Sequence, residues 1–369
     1  MHAFPMAHTR NRYMSVTETH DFLIQWHLTE RCNLACSHCY QTGTPGSELS
    51  LEEINETLEE IDEMFGAWRR AYDVSIKPSF NITGGEPLLR PDLEQVLGLL
   101  HARSYETFLL TNGTLIDRTR ARRIAELGVK GAQVSIEGCE EIHESVRGPG
   151  SFERASDGIE HLLDAGVPVT LNVTLSRLNA KSMKKVVRFA SHIGAQRLGF
   201  SRLVPAGKAA GLGQAMLSAA EVRSLYEELF ATDIPGLEIV TGDPVAAAHR
   251  RERSMKHPGR RKRDRTGGVP SGGCSAGVSG LTLLADGTVV PCRRMPLPIG
   301  NVRTHSLREL WAASPVLEAL RDKSRYSGKC GSCGHWEECR GCRAIAYADA
   351  LARGSGDFLS DDPQCFVDR

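Results

Sequence analysis

A chain of 369 residues with 41% apolar and 24% charged residues is large enough for one sizeable domain plus a smaller one, with the composition of an ordinary globular protein. Lys and Arg number 45 and so do Asp and Glu, so bulk charge points neither to nucleic acid nor to a membrane surface. No run approaches the ~20 apolar residues that cross a bilayer, and residues 1–20 are polar rather than signal-like, so a cytoplasmic location is expected, where the 11 cysteines favour metal ligation over disulfides.

Residues 1–20 show no periodicity and are expected to form a flexible N-terminal segment. Phe22 to Leu28 is a short apolar run that predicts a strand. Directly after it comes Cys32-Asn33-Leu34-Ala35-Cys36-Ser37-His38-Cys39-Tyr40, three thiols at CxxxCxxC spacing. Three soft ligands on one loop can hold three irons of a cubane cluster and leave the fourth iron open. A structural site would normally close with a fourth thiolate, but the next cysteine is Cys139. The loop therefore reads as a reaction centre, with a zinc loop as the alternative.

Ser50-Leu51-Glu52-Glu53 has a capping-box pattern, and Leu51, Ile54, Leu58, Ile61, Phe65 and Trp68 then recur at helical spacing. A second strand over Pro78 to Thr83 ends in Gly84-Gly85-Glu86-Pro87. A helix from about Pro91 to His101 leads to a third strand, Thr107 to Thr111, closed by Asn112-Gly113. Helical stretches then end at Gly128, Gly166 and Gly194, each a C-terminal cap followed by a strand: Ala132 to Ile136, Val167 to Leu175 and Arg197 to Leu203. Six strand–helix units of this kind predict an α/β fold, a partial (β/α)6 TIM-type barrel over residues 21–235. A doubly wound open sheet is the structural alternative. In such barrels chemistry gathers at the C-terminal strand ends, where the cysteine loop, Gly84 to Glu86, Asn112, Ser135 and Asn172 all fall.

Past Gly207 the alternation stops. Ala219 to Phe230 predicts a helix and Leu237 to Val240 a strand. Residues 236–272 read as a bridging region with a basic run from Arg250 to Arg265, either a solvated loop or an electrostatic guide for an acidic peptide or nucleic acid. Residues 273–369 form a cysteine-rich tail holding Cys274, Cys292, Cys330, Cys333, Cys339, Cys342 and Cys365. Between the first two, Asp286-Gly287 marks a hairpin. The rest has too little apolar content for a core, so metal must stabilise it.

CxxxCxxC after a first strand, Gly84-Gly85-Glu86-Pro87 after the second and Ser135-Ile136-Glu137-Gly138 after the fourth resemble the radical S-adenosylmethionine (SAM) superfamily. Arg147-Gly148 and Ser151-Phe152 extend the match. Gly287-x4-Cys292 and the later cysteines resemble its SPASM extension, and the two patterns together cover roughly residues 21–366. The chain departs from the SPASM pattern in two places. Cys339 and Cys342 stand two residues apart rather than three, and no extra cysteine lies between Cys274 and Cys292. Arg293 stands where sulfatase-maturing relatives carry an acid, which argues against that activity.

The resemblance implies a [4Fe–4S] cluster on Cys32, Cys36 and Cys39 whose open iron binds SAM, with 5′-deoxyadenosyl radical formation and hydrogen abstraction. It implies SAM contacts from Gly84, Gly85, Glu86, Ser135, Arg147, Asn172 and Leu203. The glycines are expected to let backbone approach the cofactor, Glu86 to accept from the SAM ammonium, Ser135 to meet its ribose and Arg147 its carboxylate. A first auxiliary cluster is expected on Cys274, Cys292 and Cys342, with an open iron, and a second on Cys330, Cys333, Cys339 and Cys365. A four-cysteine zinc ribbon is the alternative for that second site. Cys139 is a buried thiol or a hydrogen donor near Ser135. An electron donor such as flavodoxin or ferredoxin is implied as a partner.

The leading expectation is maturation of a ribosomally made peptide, by a thioether or related crosslink, with a separate partner delivering the leader. The second is a small-molecule reaction in heme or heme-d1 biosynthesis. A non-catalytic metal protein that binds nucleic acid through Arg250 to Arg265 is the reading from another class.

Overall fold

The computed structural model describes residues 19–41, 46–256 and 272–367. Most of the expected N-terminal segment, the basic run beyond Lys256 and the linker up to residue 271 lie outside the described residues. The strands are β1 (Thr19–His27), β2 (Ser75–Thr83), β3 (Glu106–Thr111), β4 (Gly131–Ser135), β5 (Val169–Leu175), β6 (Arg197–Arg202), β7 (Glu238–Val240), β8 (Gly280–Leu283), β9 (Thr288–Val290) and β10 (Gly300–Asn301). They form one sheet in the order β10-β9-β8-β1-β2-β3-β4-β5-β6-β7.

From β1 to β7 every neighbour is parallel and consecutive in sequence. A doubly wound sheet reverses its strand order at a switch point; this one does not, so the partial barrel stands. The crossovers run through α1 (Leu51–Tyr72), α2 (Leu93–Ala102), α3 (Arg118–Glu126), α4 (Glu140–Arg147), α5 (Ser151–Asp164) and α6 (Met183–His192). Both halves of the predicted capping box form at the start of α1: Glu53 N donates to Ser50 Oγ at 3.1 Å and Ser50 N to Glu53 Oε2 at 2.7 Å. From there α1 buries Ile54, Leu58, Ile61 and Phe65. Gly128, Gly166 and Gly194 take φ of 73°, 77° and 84°, the left-handed conformation that ends a helix without a Cβ penalty.

Alternation along the strands decides what faces where. In β5, Leu171, Val173 and Leu175 are buried in the core, while Asn172 and Thr174 point into the barrel and line its cavity. The outer face thus packs on helices and the inner face stays polar.

Two pairings add to the six predicted units. β7, the strand expected at Leu237 to Val240 in the bridging region, joins the barrel sheet as a seventh parallel strand beside β6. The predicted hairpin at Asp286-Gly287 forms as β8 and β9, and β8 lies parallel to β1, with Leu23 to Trp26 opposite Gly280 to Leu283. The tail is therefore hydrogen-bonded into the barrel sheet. Gly280 is required there, because a Cβ would come within 2.4 Å of the Leu23 carbonyl. Among the described residues, no helix is long and apolar enough to cross a membrane.

Candidate active site and cluster sites

β1 runs straight into the cysteine loop, and the end of β2 pins that loop at its root. Gly85 N donates to Thr29 O at 2.7 Å and Glu86 N to Arg31 O at 2.8 Å. A Cβ on Gly84 would fall 2.5 Å from Thr29 O, and one on Gly85 2.2 Å from Arg31 O. The glycine pair is thus needed first for chain against chain, not only for approach to a ligand.

Glu86 is turned away from the cavity and fully buried. Its carboxylate accepts from Thr111 Oγ1 and Asn112 N, each at 2.8 Å, and from Leu88 N at 3.2 Å. Burial raises its pKa, against the pull of those donors. In this structure the Glu86 oxygens brace the β3 turn, and Asn112 rather than Glu86 lines the cavity where the ammonium was expected.

Cys32, Cys36 and Cys39 line one solvent-open cavity together with Gly84, Gly85, Ser135, Arg147, Asn172 and Leu203. Most of these come from strands or the turns after them, as the barrel rule requires, while Arg147 is the last residue of α4. Cys139 does not join them; it caps the N-terminus of α4, so the structure offers it no hydrogen-donor position at the cavity.

Sequence reasoning passed over a charged triad behind the loop. Glu137 Oε1 accepts from Arg147 Nη2 at 2.5 Å and Nε at 3.1 Å, and pairs with His38 Nε2 at 3.0 Å; Oε2 accepts from Thr174 N at 2.9 Å. Burial works against the charge, but His38 and Arg147 hold the Glu137 carboxyl well below the usual carboxylate range. Arg147 Nη1 also reaches Cys36 Sγ at 3.8 Å. Arg147, expected to meet the SAM carboxylate, is therefore paired in place and presents its remaining edge to a ligand cysteine. The signal was legible only as Glu137 inside a motif quoted for its serine.

The tail cysteines separate into two groups. Cys330, Cys333, Cys339 and Cys365 line a second, smaller cavity with Trp336 and Arg340. Cys342, Cys274 and Cys292 share a different apolar cluster with Met295, Leu317 and Ile345. Both groupings fit the expected division into two auxiliary sites. Burial pushes the Cys342 thiol up to about 12 and Cys365 to about 11, so ligation there must displace protons. Compensating cations are built in. Arg343 Nη2 lies 3.5 Å from Cys330 Sγ, and Arg294 is held charged by the Cys342 and Cys292 sulfurs despite its burial. Backbone amides also point at sulfurs, Leu34 N at Cys32 (3.4 Å) and Gly341 N at Cys339 (3.3 Å). Among the described residues, no three His, Cys, Asp or Glu side chains converge tightly enough for one metal ion.

A buried arginine joins the two halves. Arg202, at the end of β6, donates to Asp243 (2.6 and 3.1 Å), to Asp362 (3.0 and 2.7 Å) and to Gln364 (3.3 Å). Asp362 in turn accepts from Cys342 N at 2.9 Å.

Comparison with known proteins agrees with this geometry. Residues 26–190 match the radical SAM superfamily and residues 274–343 an iron–sulfur cluster-binding domain, SPASM. The AdoMet-dependent heme synthase of Nitratidesulfovibrio vulgaris is 32% identical over 93% of this chain and 91% of that protein. The mycofactocin maturase MftC of Mycobacterium ulcerans is 30% identical over 93% of this chain and 87% of that protein. Streptococcus suis SuiB, solved with its precursor peptide SuiA, superposes with a TM-score of 0.71 at 16% identity, over 94% of this chain and 76% of that one, a likeness of fold alone.

Proposed function

Because the chain belongs to the radical SAM superfamily and carries its SPASM extension, we propose that it is a radical SAM enzyme that abstracts hydrogen from a tetrapyrrole of the heme-forming type. The radical SAM domain implies a [4Fe–4S] cluster and SAM, and the SPASM domain implies auxiliary iron–sulfur clusters. When bound on Cys32, Cys36 and Cys39, that cofactor pair supplies a one-electron cleavage of SAM to a 5′-deoxyadenosyl radical.

The observation that carries the reading is a shared chamber. The radical-site cysteines and Arg293–Arg294, which directly follow Cys292, line the same cavity. A substrate there lies between the radical site and the first auxiliary site. The Gly84–Gly85 contact with Thr29 and Arg31 fixes the loop, and Glu137 fixes Arg147 and His38 behind it. Ser135, Asn172 and Thr174 offer polar contacts on the barrel floor, while Leu203 and Val204 offer an apolar wall suited to an adenine ring. The likeness to heme synthases over nearly the whole chain favours a tetrapyrrole. It displaces the peptide from first place.

A second reading keeps the peptide, supported by the likeness to MftC and by a first auxiliary group of three thiols, which leaves an iron free for a substrate thiolate. Anaerobic reconstitution should load about twelve irons, four per cubane, and yield 5′-deoxyadenosine. Incubation with SAM, reductant and an iron porphyrin bearing carboxylate side chains should then change the mass of the tetrapyrrole. No change there, with a mass change in a peptide encoded beside the gene, would replace the first reading by the second.

A further inference from the structure

The cations around the cavity are not equivalent. Arg147 is neutralised by Glu137, and Arg202 by Asp243 and Asp362. Arg294 has the Cys342 and Cys292 sulfurs beside it and donates to Arg202 O at 3.2 Å. Arg293 and Lys208 line the same cavity yet make no ion pair among the described residues. Glu30 is the one carboxylate in the described lining, so this wall carries excess positive charge.

Neutral groups hold Arg293 in position. With the Gln25 amide turned to accept, its oxygen takes Arg293 Nη1 at 2.8 Å and Nε at 3.2 Å, and the guanidinium lies over the Tyr40 ring at 5.5 Å. Among the described residues, Nη2 and the second Nη1 hydrogen find no protein acceptor, on a half-buried side chain that faces the cavity. The backbone on either side of Lys208 packs against the segment Cys39–Tyr40. Gly207, at φ 59°, packs so closely that a Cβ would fall 2.2 Å from Tyr40 O, and Ala209 N donates to Cys39 O at 3.2 Å. Both cations are thus tied to the residue after the last radical-site cysteine, and Arg293 also follows Cys292 directly.

We propose that Arg293 and Lys208 form an anion subsite that holds a carboxylate of the substrate between the two cysteine groups. A planar guanidinium with free parallel donors suits a carboxylate, and an exposed lysine adds a mobile second charge. The subsite rests on the reading above for the identity of its ligand, a tetrapyrrole carboxylate, but its chemistry would serve a peptide C-terminal carboxylate equally.

Two probe pairs separate these sources on the reconstituted protein: coproporphyrin III against its tetramethyl ester, followed at the Soret band, and acetyl-Gly-Gly-Tyr as free acid against its amide, followed by calorimetry. Wild type should prefer the acid of one pair. Arg293→Gln should bind that acid at least about tenfold more weakly, as expected for losing a charge-assisted hydrogen bond, without changing affinity for the ester or amide. Arg293→Lys should recover part of the loss, and Lys208→Gln, at an exposed position, should weaken the acid less. Selection of the peptide acid alone would end the tetrapyrrole reading and keep the subsite. Equal binding of acid and neutral form in both pairs, or an Arg293→Gln protein that binds the acid as wild type does with iron content unchanged, would overturn the subsite.

Discussion

Replacing Arg202 by methionine tests whether the barrel and the tail are held together electrostatically. The side chain is fully buried and is the one cation that pairs with Asp243 and Asp362 among the described residues. Methionine fills much of the volume, so the loss is chiefly of charge. Breaking a buried pair by removing one partner costs ~3–5 kcal/mol, because the other charge is left uncompensated. Two carboxylates depend on this cation, so the upper end, about 5 kcal/mol, is expected. With a urea slope of roughly 3 kcal/mol/M for a chain of this size, the midpoint should fall by about 1.7 M.

The pH dependence has a definite sign. Burial opposes ionisation of Asp362, but Arg202 outweighs it and depresses the pKa, so its contribution in wild type is present above the ordinary aspartate pKa of about 3.9 and is lost as pH falls below it. Without Arg202 the buried acid takes up a proton more readily than in the unfolded chain, and acidification then favours the fold. The deficit of the variant should narrow from pH 8 to pH 5. Urea titrations of reconstituted protein, followed by circular dichroism, measure both effects. A midpoint shift under about 0.3 M, or a deficit that widens on acidification, would refute the reasoning. Asp362→Asn in the same background should restore part of the stability, since it removes one of the stranded charges.

Four further outcomes are expected. Gly85→Ala drives a Cβ into Arg31 O and should lower stability by about 3 kcal/mol or more, with fewer irons retained by the cysteine loop on reconstitution. Glu86→Gln should cost about 1–3 kcal/mol in thermal unfolding, because it disturbs a buried acceptor, yet leave SAM affinity within a few fold; a large loss of affinity at unchanged stability would contradict the inward placement. Burial and Arg147 lower the His143 pKa from 6.5 to about 4, so the unfolded chain binds more protons between those values and stability falls as pH drops through that window. His143→Gln should flatten thermal melts across it. Cys36→Ser should abolish 5′-deoxyadenosine formation, whereas Cys139→Ser should leave it near wild type, as its place outside the cavity requires.

Local pattern carried much of the fold. The Ser50–Glu53 capping box, the glycine caps at Gly128, Gly166 and Gly194 and the hairpin at Asp286-Gly287 are each written within a few residues, and each forms as read. Partner choice is not local, so nothing near Gly280 announced that β8 would lie against β1, nor that the strand read at Leu237 to Val240 would extend the barrel sheet beside β6. At the site, residue types were legible but their orientations were not. Gly-Gly-Glu was placed correctly after β2, yet which way the Glu86 carboxylate turns depends on Asn112 and Thr111, some 25 residues later. Likewise Arg202 looked like an ordinary polar residue at a strand end, because its partners Asp243 and Asp362 lie 41 and 160 residues away.

The pairing of β8 with β1 also has a consequence for how the protein is made. Until residue 283 has left the ribosome, the first strand of the barrel has an open flank, and its Leu23 to Trp26 segment presents unsatisfied amides and carbonyls beside apolar side chains. Such a flank invites pairing with another nascent chain. The barrel is therefore completed by a segment some 250 residues later in the chain, and a protein truncated before Gly280 should be recovered as aggregate rather than as a free-standing barrel. Cluster insertion at Cys32, Cys36 and Cys39 would then follow closure of this sheet rather than precede it.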